Sequence, residues 1–413
     1  YRDNIYTKGF AGLKEAITTH ELVEFTQIAL AYIDQSIRAN KRSDGLYHAY
    51  NLISFKQNIV SIRPLYEMLE GQVAVLSSGL LTTEECHDVL DSLKSSPLFS
   101  ARQYSYLLYP DRQLARFNEK NNMPKQAVDD SKLLSLLIAE KDYSVVNIDA
   151  SGAFHFNGKF RNSEILNQAL CTLDSVKYGD LINKEKTKVL AIYEQMFDHK
   201  SYTGRSGTFY AYEGLGSIYW HMVSKLSLAV EECFFKAVDD AADPIIIGKM
   251  KDHYYEINAG IGLYKTPELY GAFPTDAYSH TPGDSGAKQP GMTGQVKEDI
   301  IARMGCLGVR VSQGLITFDS RLINRNEFLE NENIFNFISV DGSHQKLNLK
   351  QYQLGYTLCQ VPVIYSLTDH EKIIITYANE HKEEISGSSL TKHISQLIFN
   401  RENEIKLIEV SIN

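Results

Sequence analysis

The sequence has few cysteines, and none of them belongs to a closely spaced pair. Zinc sites and disulfide frameworks use clustered or paired cysteines. The sequence therefore predicts no metal site, and it predicts reduced cysteines in the protein core. The five cysteines are odd in number and scattered along the chain, at Cys86, Cys171, Cys233, Cys306 and Cys359.

The sequence also lacks long apolar runs and a positive net charge. No stretch approaches the roughly 20 apolar residues that a membrane helix needs, and the N-terminus has no apolar signal segment. We therefore expect no membrane partner. The net charge is −9, whereas a nucleic-acid partner requires a basic surface, so no nucleic-acid partner is expected either.

Several catalytic motifs are missing as well. The sequence contains no metalloprotease, esterase, P-loop or dinucleotide-binding fingerprint, so it gives no support for these enzyme classes and predicts no organic cofactor. The chain begins at Tyr1 rather than at methionine. This leads us to expect an upstream segment or domain, with a cytoplasmic location and a periplasmic one as the alternative.

The hydrophobic periodicity changes once along the chain. Up to about residue 306, apolar residues recur at helical spacing, including residues 13–40, 58–80, 82–96 and 215–240. After Gly308, short β-rich runs alternate with turn signals. The sequence predicts an α+β protein, with a helical toroid-like domain over residues 1–306 and an antiparallel β-sandwich over residues 307–413.

Residues 259–303 are too polar and too rich in glycine and proline for a core element, yet they are dense in recognition side chains. Aromatic faces beside polar edges are typical of sugar binding. The alternative is an ordered surface loop that packs on itself. Thr293 and Gly294 precede a helical pattern, where free backbone N–H groups can hold phosphate. The candidate sugar-binding residues here are Tyr270, Asp276, His280 and Gln289.

Two clusters nearer the N-terminus have a catalytic and a structural interpretation. In residues 43–52, Asp44 is a candidate general acid beside His48, or belongs to an ordinary Asp-Gly turn. In residues 104–124, Tyr109 and Arg112 are candidate substrate residues, or belong to a surface ion-pair cluster. Both interpretations remain open for each cluster.

A third cluster, residues 201–225, approaches a helix through a glycine-rich segment. Arg205 can hold an anion with two hydrogen bonds, and Glu213 can serve as a base or as a helix cap. Tyr212 is a candidate substrate contact. His221 lies inside the helical pattern, where a single histidine is more often a buried core residue than a ligand.

The third cluster and residues 259–303 together resemble the inverting disaccharide phosphorylases of the cellobiose and chitobiose phosphorylase type. The resemblance covers about residues 10–310, and it rests on residues 216–221 (GSIYWH), residues 267–270 (PELY), residues 280–282 (HTP) and residues 291–294 (GMTG). It implies an (α/α)6 barrel, with phosphate bound by His221, Thr293 and Gly294. It also implies that the chain is the C-terminal part of a longer protein.

The same resemblance implies the reaction. The family's Asp-Trp-Asn-Asp motif is absent, and Asp44 is the nearest counterpart of its catalytic acid by position. We expect a carbohydrate substrate, inorganic phosphate as co-substrate and inverting phosphorolysis. The alternatives are an inverting hydrolase, with Glu213 or Glu298 as base, and a carbohydrate-binding module without catalysis. The sequence predicts no oligomeric state.

Overall fold

A computed structural model describes residues 2–10, 12, 16–56, 59–110, 115, 117–197, 218–261 and 295–412 of the chain. The chain divides into two compact units. The first contains Tyr1–Phe99 and Leu107–Gly216, and the second contains Ser100–Tyr106 and Ser217–Asn413. Helices and strands occur in both units, and a multi-stranded sheet follows the helices near the C-terminus. The toroid stays a prediction.

The first unit begins with helices that start at well-defined caps. Thr18 and Thr82 each form a capping box, in which the glutamate three residues later bonds back to the backbone of the cap. The helices predicted within residues 13–40 and 82–96 are confirmed. The elements of this part of the first unit are α1 (Arg2–Lys8), α2 (Thr19–Ala39), β1 (Asn51–Lys56), β2 (Ile59–Pro64), α3 (Leu69–Leu76) and α4 (Thr83–Ser95). Strand β3 (Phe99–Ser100) follows at the unit boundary, and β4 (Ser105–Tyr106) belongs to the second unit.

The helix predicted over residues 58–80 is wrong in its N-terminal part. Strands β1 and β2 form an antiparallel hairpin there, in which Phe55 lies opposite Val60. β-branched residues such as Ile59 and Val60 favour strands, and Pro64 lacks the N–H that would continue a helix. The helical part begins later, at Leu69.

Residues 117–197 enclose a core of their own within the first unit. The side chain of Asn121 accepts a hydrogen bond from Phe156 N at 3.0 Å and donates one to Phe156 O at 2.8 Å. The largest buried side chains include Phe156, Tyr193 and Phe197. The elements are α5 (Phe117–Lys120), α6 (Lys125–Asp129), α7 (Lys132–Ala139), β5 (Val146–Ile148), β6 (Phe154–Phe156), α8 (Ser163–Thr172) and α9 (Ser175–Phe197).

Among the described residues, the main part of the second unit opens with three helices: α10 (Trp220–Asp239), α11 (Pro244–Gly260) and α12 (Gln295–Cys306). The side chain of His221, at the start of α10, meets Glu298 in the first turns of α12. About three turns further along α10, Glu231 lies against Gly305 near the end of α12. The contacts advance in the same direction along both helices. Helices α10 and α12 are therefore parallel, and their N-termini lie at the same end.

The strand-rich region predicted after residue 306 is confirmed, but its topology differs from an all-antiparallel sandwich. Five strands form one sheet in the order β11-β12-β15-β13-β14, and β12 and β15 run parallel. A parallel pair requires a long connection, here through β13, β14 and α13. The elements are β7 (Val309–Ser312), β8 (Leu315–Phe318), β9 (Asn333–Ile338), β10 (His344–Leu349), β11 (Gln353–Leu358), β12 (Val361–Leu367), β13 (Lys372–Tyr377), β14 (Lys382–Ser386), α13 (Lys392–Phe399) and β15 (Ile405–Ile412).

Helices α10 to α12 belong to the same compact unit as the sheet, whereas the sequence predicted a domain boundary at residue 306. Two contacts explain the grouping. Arg310 on β7 forms an ion pair with Asp239 at the end of α10, and Tyr365 on β12 donates to Leu307 O at 2.7 Å. Among the described residues, no helix is long and apolar enough to cross a membrane.

Candidate functional site

His221 sits at the N-terminus of α10 and contacts two other polar side chains. Its Nε2 atom lies 3.0 Å from Oε1 of Glu298, and its Nδ1 atom lies 3.3 Å from the hydroxyl of Tyr219. Tyr219 is the N-cap of α10 and has an extended backbone. The side chains of His221 and Glu298 are only 13% and 8% exposed. Both ring nitrogens of His221 are therefore held by protein groups in a largely buried position.

Two helix N-termini meet at this histidine. Helix α10 begins at Trp220 and α12 begins at Gln295, and their N-terminal ends lie at the same end of a parallel pair. Each helix N-terminus exposes backbone N–H groups and carries a partial positive charge. The helix predicted after Thr293 and Gly294 is confirmed from Gln295 onward. The arrangement is suited to binding an anion.

A buried acid lies further along the same helix pair. Glu231 on α10 is 5% exposed, and its Oε2 atom has no hydrogen-bond partner among the described residues. Burial, with a smaller contribution from Glu232, raises the pKa of Glu231 to about 8. The sequence analysis did not identify Glu231. The signal was present, because Glu231 continues the stripe of Ser227 and Phe234 that faces the core.

Asp44, the predicted general acid, is held in an ion pair. Its Oδ2 atom lies 2.7 Å from Nη2 of Arg42, and its Oδ1 atom accepts from Nε of Arg42 at 3.0 Å. Arg42 also approaches Glu67 at 3.3 Å. The hydrogen bonds from Arg42 are the largest cause of the lowered pKa of Asp44. A general acid needs the opposite shift, so these surroundings argue against that role for Asp44.

His48, a predicted substrate residue, lines a cavity of about 440 Å³ in the first unit. Its Nδ1 atom lies 3.1 Å from Leu65 O. Burial, followed by the nearby Glu70, raises the pKa of Tyr50 on the cavity wall. The cavity has both ring faces and hydrogen-bonding groups, as sugar sites do. The polar and aromatic lining residues are Tyr32, Ser36, Asn40, His48, Tyr50 and Glu70.

The remaining predicted site residues divide into two groups. Tyr109 lies in the first unit and is half-buried. The structure thus brings His221 and Glu298 together in the second unit, and it places Asp44, His48 and Tyr109 in the first. The others lie outside the described residues: Arg112, Arg205, Tyr212, Glu213, Tyr270, Asp276, His280, Gln289, Thr293 and Gly294.

One comparison with known families bears on this chain. Residues 114–200 match the family model described as GH149 phosphorylase insertion domain 2. This stretch is similar to part of a glycoside phosphorylase. The match nearly coincides with the separately cored residues 117–197, so it corresponds to a structural domain. It supports a glycoside phosphorylase-related protein, and it does not distinguish the cellobiose or chitobiose type. No curated protein matches the chain.

Proposed function

We propose that the protein takes part in phosphorolysis of a glycosidic bond and binds inorganic phosphate beside His221. The observation that carries this proposal is the meeting of two helix N-termini at a histidine, in a chain that matches a phosphorylase domain model. Helix N-termini attract anions, and the imidazole of His221 lies at the same place. Phosphate is the anion that a phosphorylase consumes.

In the proposed reaction a phosphate oxygen attacks the anomeric carbon of the sugar. The bond from this carbon to the glycosidic oxygen breaks, while a carboxylic acid protonates that oxygen. The products are a sugar 1-phosphate of inverted configuration and a saccharide shorter by one unit. For Asp44 to supply the proton, its contact with Arg42 must break when the saccharide binds.

Thr293, Gly294 and Arg205 complete the proposed phosphate site. Thr293 and Gly294 immediately precede α12 in the sequence. The N-terminal end of α12 is the end at which His221 lies. Tyr270, Asp276, His280 and Gln289 belong to the segment that leads into this end, and they are the proposed saccharide contacts there. Arg112, Tyr212 and Tyr109 are proposed as further saccharide contacts.

The hydrolase alternative requires a carboxylate base that activates water. Glu298, one of the two bases predicted from the sequence, accepts a hydrogen bond from His221, so its carboxylate is already committed to the imidazole. Glu213 is the other candidate. The binding-module alternative is favoured by the cavity around His48 and Tyr50, which offers both ring faces and hydrogen-bonding groups.

The test is to incubate the protein with a panel of β-linked disaccharides and oligosaccharides, with and without inorganic phosphate. We expect a sugar 1-phosphate, detected by phosphorus NMR, and no cleavage when phosphate is omitted. Free sugar released without phosphate would support the hydrolase. Oligosaccharide binding without any turnover would support the binding module.

A further inference from the structure

Glu298 occupies an unusual position for a carboxylate. Its side chain is 8% exposed, and it lies in the first turn of α12, four residues after Gly294 in the sequence. A buried charge is strongly unfavourable unless it is paired or hydrogen-bonded. The structure provides such a partner, because Nε2 of His221 lies 3.0 Å from Oε1 of Glu298.

The imidazole of His221 is held from two sides. Among the described residues, the titratable groups that contact this ring are Glu298, from α12, and Tyr219, from the cap of α10. A ring held in this way presents a fixed edge to a ligand.

We infer that Glu298 is a positioning residue that acts through His221. Its carboxylate accepts the hydrogen on Nε2, which fixes the orientation of the ring. The Nδ1 edge is thereby directed toward the Tyr219 hydroxyl, at the end of the helices where phosphate is proposed to bind. This inference rests on the proposed function, because it assigns the orientation of His221 at the proposed phosphate site.

Two substitutions separate orientation from charge. Glu298→Gln keeps an oxygen that can accept from Nε2, but it removes the negative charge. Glu298→Ala removes both. Nitrogen-15 NMR of the histidine side chains should show hydrogen on Nε2 of His221 in the wild-type protein, assigned by the loss of this signal in His221→Ala. We expect hydrogen to remain on Nε2 in Glu298→Gln, and to be distributed between the two ring nitrogens in Glu298→Ala.

Phosphate affinity provides the functional readout. Titration with inorganic phosphate should give a dissociation constant raised about tenfold in Glu298→Ala, which corresponds to about 1.4 kcal/mol, because the imidazole is no longer held in one orientation. Glu298→Gln, which keeps an acceptor for Nε2, should bind phosphate more tightly than Glu298→Ala. The matched control is Glu330→Gln, which changes an exposed glutamate of the same unit and should leave both readouts unchanged.

The outcomes distinguish this inference from the proposed function. An unchanged His221 spectrum in both Glu298 variants would overturn the inference, whether or not phosphate binds. A wild-type ring with hydrogen on Nδ1 alone would also overturn it. Hydrogen distributed between both ring nitrogens of His221 in Glu298→Ala, in a protein that neither binds nor consumes phosphate, would retain the pairing and overturn the phosphate function that gives it a role. Far-ultraviolet circular dichroism verifies that each variant is folded.

Discussion

At the scale of single residues, the hydrogen-bond partner of a side chain decides the chemistry open to it. Asp44 and Glu231 are both carboxylic acids, yet their surroundings shift their pKa values in opposite directions. Arg42 lowers the pKa of Asp44, and burial raises that of Glu231 to about 8. By this criterion Glu231 resembles a general acid more than Asp44 does, but it packs against Gly305 inside the helix pair.

The Asp44→Asn substitution tests the sequence-based assignment directly. The Arg42 contact keeps Asp44 ionised at neutral pH, so we expect turnover to fall by less than tenfold. Loss of a general acid instead lowers the rate by about 10²–10⁴-fold. A loss in that larger range, measured with the best disaccharide substrate, would show that the Arg42 contact opens during the reaction.

Glu231 should make stability depend on pH. Its pKa is raised from 4.5 to about 8 in the folded protein, so the folded state holds a proton that the unfolded state releases across this range. The contribution of Glu231 to the free energy of unfolding is therefore largest below pH 4.5. This contribution falls as the pH rises toward 8, by up to about 1.4 kcal/mol per pH unit.

The pH dependence can be measured by urea unfolding at several pH values between 5 and 8. The fluorescence of Trp220 reports on this region, because it is the single tryptophan of the chain and lies on the same helix as Glu231. In Glu231→Gln, the fall in stability between pH 5 and 8 should be smaller than in the wild-type protein. Equal slopes in the two proteins would show that Glu231 is ionised in the folded state.

At the scale of elements, the close approach of α10 and α12 determines where His221 lies. A methyl group on Gly305 would lie 1.7 Å from Oε1 of Glu231, so an alanine there would require the Glu231 carboxylate to move. The parallel packing in turn brings His221 to Glu298. Packing three turns away thus supports the geometry of the proposed site.

Gly305→Ala measures that packing. Alanine favours a helix by about 1 kcal/mol over glycine, but overpacking a buried contact costs about 1–3 kcal/mol. We expect a net loss of unfolding free energy in the wild-type background. In the Glu231→Ala background, where the facing carboxylate is absent, the same substitution should be neutral or stabilising. Equal effects in both backgrounds would contradict the close contact.

At the scale of the whole molecule, local sequence patterns predicted helices and strands, whereas they did not predict long-range contacts. Helices α2 and α4 follow from periodicity and caps, and the change to strands after residue 306 follows from alternation. The parallel β12–β15 pair joins residues more than 40 positions apart, which no local pattern encodes. The same holds for His221 and Glu298, which are 77 residues apart.

Periodicity also failed to show what an apolar residue packs against. The sequence predicted an amphipathic helix over residues 13–40, and α2 is helical. Yet Leu22, Phe25 and Tyr32 on this helix are 55%, 66% and 72% exposed. A helical pattern gives the face that is apolar, whereas its burial depends on the tertiary contacts of that face.

The central claim is that phosphate binds beside His221, and calorimetric titration with inorganic phosphate tests it most directly. At constant ionic strength, we expect saturable binding to the wild-type protein and a dissociation constant raised about 10- to 100-fold in His221→Ala, since removing a charge-assisted hydrogen bond costs about 1.5–3 kcal/mol. His344→Ala, which changes an exposed histidine on β10, should bind phosphate like the wild-type protein. Equal phosphate affinity in His221→Ala and the wild-type protein would contradict the claim.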